Sequence, residues 1–121
     1  MAPTFDHGAS LARLLTDDDR AERLSTKDGY RTIGAYVRKA RSAFYLAQHD
    51  VKPLMTLDCY REFAKLSPLA AVSWERRLSG VDDSMVQFLL DKIPIERMST
   101  IAKRFTLELL KENKLRILGS T

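Results

Sequence analysis

Cysteine occurs once, at Cys59, so no disulfide can form within the chain and no metal site can rest on several thiolates. Histidine occurs only at His7 and His49, so a zinc centre would have to lean on carboxylates. The longest stretch without a charged residue is nine residues, 66–74, against the roughly 20 apolar residues that a spanning helix needs. Residues 1–5 hold neither the basic start nor the apolar core of a secretory signal, and Asp6 follows at once. The expectation is a reducing, cytoplasmic setting and no membrane association. The five glycines and four prolines are scattered as punctuation, with no linker, repeat or low-complexity tract. Strict apolar–polar alternation is nearly absent, which argues against a sheet.

What is present is an ordinary globular balance. Of 121 residues, 45% are hydrophobic and 30% charged, enough for one domain with one core over residues 1–121. Twenty Lys and Arg against sixteen Asp and Glu leave a charge of +4, which permits contact with phosphate-rich partners without demanding it. The excess is uneven. Seven basic residues lie from Arg20 to Arg41, opposed there only by Glu22 and Asp28.

Apolar spacing of three and four predicts an all-α chain of five or six helices. Thr16 followed by Asp17, Asp18 and Asp19 reads as a helix start, with the hydroxyl accepting from free amides and the carboxylates at the positive dipole end. That helix should run to about Leu24. After the Asp28-Gly29 turn, a longer helix is expected from Tyr30 to about Arg41, with Ile33, Tyr36, Val37 and Ala40 inward. Residues 42–47 either extend it or form an ordered loop. Thr56 is placed to cap a helix through about Leu66, with Leu57, Tyr60, Phe63 and Ala64 buried. Ser67-Pro68 starts the next, ending near Leu78 with Gly80 as its left-handed terminus. Val81 and Val86 flank Asp82 as a hydrophobic staple, opening a helix with Met85, Val86, Leu89 and Leu90 inward and Pro94 beyond its end. The last helix begins near Ser99 and carries Met98, Ile101, Ala102, Phe105 and Leu109 as its stripe. Leu115 to Leu118 reads as a tail latch, Trp74 as partly buried core, Met55, Met85 and Met98 as core filler, and Cys59 as an inert buried thiol.

Residues 1–5 stand apart. Thr4 and Phe5 have strand character, and a lone strand leaves its backbone groups unpaired, so its partner is expected outside this chain. Phe5-Asp6-His7-Gly8 ends that extended segment with a carboxylate and then turns through glycine. This is how a kinase presents a hard anionic ligand to Mg²⁺ between phosphates.

The string Ala2-Pro3-Thr4-Phe5-Asp6-His7-Gly8-Ala9-Ser10-Leu11 resembles the segment that holds the metal-binding aspartate in HipA-like serine/threonine kinases of the toxin–antitoxin type. Arg41-Ser42-Ala43-Phe44-Tyr45, Lys52-Pro53-Leu54 and the closing Phe105 to Leu110 look like landmarks of the same family in the same order. The resemblance implies the helical C-terminal lobe of a bilobal kinase, entered through a short extended segment. Asp6 would hold Mg²⁺ and ATP, with His7 packing beside it and Gly8 as the hinge. The implied partners are an N-terminal kinase portion, a HipB-like antitoxin and a protein substrate, with nucleic acid met only indirectly. The departures are definite: the chain has no glycine-rich loop, no strand lysine and no catalytic Asp with a following Asn. His49-Asp50-Val51-Lys52 echoes a catalytic loop, but Pro53 intervenes and no Asn follows at the required spacing. Phosphoryl transfer is therefore not expected of this chain alone. The alternative reading is a small helical interaction or nucleic-acid-associated module that uses the Arg20–Arg41 basic stretch, with Arg38, Lys39 and Arg41 as its candidate phosphate contacts.

Overall fold

The computed structural model describes residues 11–119. The expected extended segment at Thr4 and Phe5, and Asp6, His7 and Gly8 with it, lies outside the described residues. Six helices follow one another: α1 (Asp17–Ser25), α2 (Ile33–Arg38), α3 (Thr56–Leu66), α4 (Pro68–Ser79), α5 (Asp83–Asp91) and α6 (Thr100–Leu118). No sheet forms among the described residues, and the only strand-like pairing is an antiparallel bridge between Arg41 and Met55. The fold is all-α. No helix among the described residues is long and apolar enough to cross a membrane.

α6 is the central post. Ala102, Phe105, Thr106 and Leu109 recur at helical spacing on one side of it and are all buried. α1, α2, α4 and α5 each pack against α6, while α3 packs against α4. Phe105 is 0% exposed and joins Val37 and Leu109 in the core cluster, with Leu15, Leu24, Ile33 and Tyr36 packed around them. The Tyr36 ring meets Phe105 edge-on, with centroids 6.2 Å apart. The Arg23 guanidinium lies 4.8 Å above the other side of this stack, over Tyr36.

Helix starts follow local chemistry. Thr16 and Asp19 form a reciprocal capping box: the Asp19 amide donates to the Thr16 hydroxyl at 3.1 Å, and the Thr16 amide donates back to the Asp19 carboxylate at 3.2 Å. Asp82 caps α5 by accepting from the Met85 amide at 2.8 Å, and Ser99 caps α6 by accepting from the Ala102 amide at 3.1 Å. Leu115 to Leu118 are the final turn of α6 and form no separate latch. α3 begins at Thr56, but its cap residue is Met55, which supplies no side-chain cap. The Met55 position is fixed instead by the bridge to Arg41.

α2 is shorter than the expected Tyr30 to Arg41. Thr32 caps it at one end, accepting from the Ala35 amide at 3.2 Å. At the other end the chain leaves the helix for a paired loop. The Ala40 carbonyl accepts from the Thr56 amide at 2.9 Å, the Ser42 amide donates to Leu54 and the Leu54 amide donates to Phe44, both at 2.8 Å. Those cross-chain bonds use the groups that further helical turns would have needed. Ala40 is exposed in consequence, and residues 42–54 form the ordered-loop alternative.

Gly80 also departs from expectation. Its φ is −76°, an ordinary right-handed value rather than a left-handed cap. The carbonyls at this corner are satisfied by a lysine from α6: the Lys114 ammonium donates to Ser79 at 3.3 Å and to Val81. Met85, Leu89, Phe63 and Trp74, expected inward, are more than half exposed; Arg77 covers one face of the Trp74 ring from 5.0 Å. α3 and α5 bury one residue each, Cys59 and Leu90, α4 buries none, and all three leave large apolar side chains exposed. Cys59 is buried, as expected.

Phe105→Ala should cost about 3–5 kcal/mol of unfolding free energy, read from urea denaturation. Gly80→Ala should stabilise by about 0.4–1 kcal/mol, because φ already suits an L-residue. An added Cβ there would sit 3.5 Å from the Arg77 carbonyl, an ordinary contact.

Candidate functional site

Several charges of the described residues are paired locally. Asp17 pairs with Arg20 at 2.7 Å and Glu22 with Arg31 at 2.6 Å. The Thr16 hydroxyl and amide, both donating to Asp19, hold that carboxyl below its usual range. The three aspartates at residues 17–19 therefore start a helix and do not gather round a cation. Among the described residues, no three His, Cys, Asp or Glu side chains are placed to hold a metal ion. Asp82 is kept low by the Ser84 hydroxyl first and the Met85 amide second, as befits a cap. Lys111 is pushed up by Glu108 first and by Asp83 across the α5–α6 contact.

One concavity departs from this balance. A groove of about 680 Å³ opens between α2, α3, α6 and the turn at residues 11–14. Val37, Leu57 and Leu109 line its apolar floor. Three arginines from three separate segments stand in its wall: Arg13 from the turn, Arg41 from the bridge and Arg116 from the last turns of α6. Among the described residues, no carboxylate lines it. Arg41 is held in place by donating from Nη1 to the Pro53 carbonyl at 2.7 Å.

The lip of the groove is strained. Leu11 and Ala12 have φ of 58° and 55°, a left-handed conformation that costs an L-residue about 1–2 kcal/mol. It is held by the Leu15 amide donating to the Ala12 carbonyl at 3.1 Å and by Arg20, which reaches the same carbonyl at 3.4 Å while paired with Asp17. Strain of this kind persists only where its surroundings over-determine it.

Beside this groove, Tyr60 donates its hydroxyl to the Glu75 carboxylate, tying α3 to α4. The carboxylate favours the neutral phenol and pushes the Tyr60 pKa up to about 12.

Of the residues singled out from the sequence, the structure puts Arg41 in the groove wall. Arg38 and Lys39 are exposed at the end of α2 and do not line the groove. Asp6, His7 and Gly8 lie outside the described residues. Arg13 and Arg116 were not legible as partners of Arg41, since 28 and 75 positions separate them from it in the sequence. A scan against protein-family models, a search of curated proteins and a search of solved structures each return no match.

Among the four tyrosines, one should ionise about two pH units late in an absorbance titration at alkaline pH. Because the folded pKa is raised, the Tyr60–Glu75 contribution to stability is complete below about pH 10 and is lost as pH rises through about 12. Glu75→Gln should return that tyrosine toward 10.

Proposed function

We propose that this chain is the C-terminal helical portion of a HipA-like serine/threonine kinase, a lobe that works only when joined to an N-terminal kinase portion. One observation carries the reading: the imbalance between inside and outside. Seven hydrophobic residues are buried, whereas eighteen large hydrophobic residues of the described chain are exposed. They include consecutive Phe44, Tyr45 and Leu46 on a loop whose backbone is pinned by hydrogen bonds. A domain of this size that stands alone rarely leaves so much apolar surface in water. A lobe built to be covered would.

In this reading Asp6 supplies the Mg²⁺ ligand for ATP, and Gly8 lets the segment turn toward the helices. The catalytic loop, the phosphate-binding lysine and the nucleotide lobe come from the N-terminal portion, and a HipB-like antitoxin and a serine- or threonine-bearing substrate are its partners. A cytoplasmic setting suits the single, buried Cys59.

The test is to express the portion encoded upstream together with this chain. The expected result is Mg²⁺-dependent phosphorylation by the pair, none by either alone, and loss of the activity to background in Asp6→Ala. Light scattering should show concentration-dependent self-association of the isolated chain, relieved by the partner. Activity that survives Asp6→Ala, or an upstream sequence unrelated to a kinase, would overturn the reading.

A further inference from the structure

We infer that the turn at residues 11–14 is a two-state strap, latched by Arg20 with Leu11 and Ala12 left-handed and relaxing to right-handed angles when the latch is drawn away. The strain itself is the first observation. Leu11 and Ala12 have φ of 58° and 55°, whereas the residues that visit this region routinely are glycine, asparagine and aspartate. Leucine and alanine are strong right-handed helix formers, so local preference opposes the observed backbone. A conflict of this kind gathers at clamps and switch segments, where the surroundings hold the strain in place.

The second observation is what does the holding. The bond from the Leu15 amide to the Ala12 carbonyl closes around Arg13 and Leu14 and fixes chiefly their angles. Arg20 reaches the turn from α1. Its Nη1 donates to Asp17 at 2.7 Å, and its Nη2 donates to the Ala12 carbonyl at 3.4 Å and the Arg13 carbonyl at 3.5 Å. The Arg20 side chain is only 14% exposed, so water competes little for these contacts. Both carbonyl bonds are long, and long bonds are weak. The latch therefore biases the turn only slightly, as a two-state element requires. Asp17 also accepts from the Ser99 hydroxyl, and Ser99 first and Arg20 second hold its carboxyl below the usual range. The strap is thereby tied to the starts of both α1 and α6.

The third observation is where the strap lies. Leu11 and Arg13 line the groove described above and also a second concavity of about 580 Å³, which Asp17, Arg20 and Ser99 line as well. A change of hand at Leu11 and Ala12 reshapes both spaces at once. Because the latch residues face the second concavity, an acceptor that enters it and takes up Arg20 releases the strap. The inference does not rest on the kinase reading, since it concerns contacts within the described residues alone.

The experiment uses the full chain, NMR and thermal unfolding. A strong intraresidue HN–Hα NOE marks a positive φ and weakens when φ turns negative. The wild type should show it at Leu11 and Ala12, and Arg20→Gln should lose it at both while keeping the helical far-UV circular dichroism. Ala12→Gly should raise the unfolding midpoint of the wild type by about 2–5 °C, because glycine takes left-handed angles without penalty. In Arg20→Gln, where the strain is already released, the same substitution should give no gain, since glycine's freedom is then only a cost. An arginine that merely packs would leave the two shifts equal. Asp17→Asn keeps the guanidinium but removes the carboxylate that aims it. It should weaken the NOE in the same way, and it replaces Arg20→Gln in the comparison if that variant loses the helical spectrum. A strong NOE retained in these variants, or an Ala12→Gly gain undiminished by them, would overturn the inference. So would absence of the NOE from the wild type.

Discussion

The burial of Phe105 against α2 is the contact on which the rest of the structure depends. Its ring is wholly withdrawn from solvent, and it sits on the one helix against which four of the other five pack. Through Tyr36 it fixes α2, and through Arg23 stacked on Tyr36 it reaches α1. With α2 and α6 fixed, the bridge from Arg41 to Met55 sets where α3 begins. The groove is what remains between these elements. It draws lining residues from four segments that are far apart in the sequence.

The structure spends its polar groups carefully and its apolar ones loosely. Four of the helix starts have side-chain caps satisfied at 3.2 Å or less in the contacts described above, and Lys114 closes the α4–α5 corner from a distance of more than thirty residues. By contrast, α5 is apolar on two faces. Val86 and Leu90 turn toward α6, and Met85, Phe88 and Leu89 turn to solvent, with Lys92 lying 4.4 Å over the Phe88 ring. A cation over an aromatic face shields it in part and leaves it accessible. The described residues thus combine capped helix starts with incomplete apolar closure.

Much of the fold was legible from residue chemistry. The Thr16-Asp-Asp-Asp start, the Asp82 cap, Pro68 in the first turn and the Ser99 start all act within one or two helical turns, and sequence reports such short-range effects directly. The misreadings all have long-range causes. α2 ends early because the chain beyond it is captured by residues ten to sixteen positions away, with Thr56 holding the Ala40 carbonyl and Leu54 that of Phe44. Gly80 needs no left-handed angle because Lys114 performs the capping. Met85 and Leu89 follow a perfectly helical rhythm, yet periodicity gives the spacing of a face and not which face is covered. The groove was legible only at Arg41, since a site made of three distant segments has no local signature.

The central position of α6 has a consequence for how the chain comes to be folded at all. It is the last of the six described helices to be synthesised, and four of the others pack against it. Domains commonly consolidate from their N-terminal side during synthesis. Here the faces of α1, α2, α4 and α5 that rest on α6 stay uncovered until that nineteen-residue helix has formed.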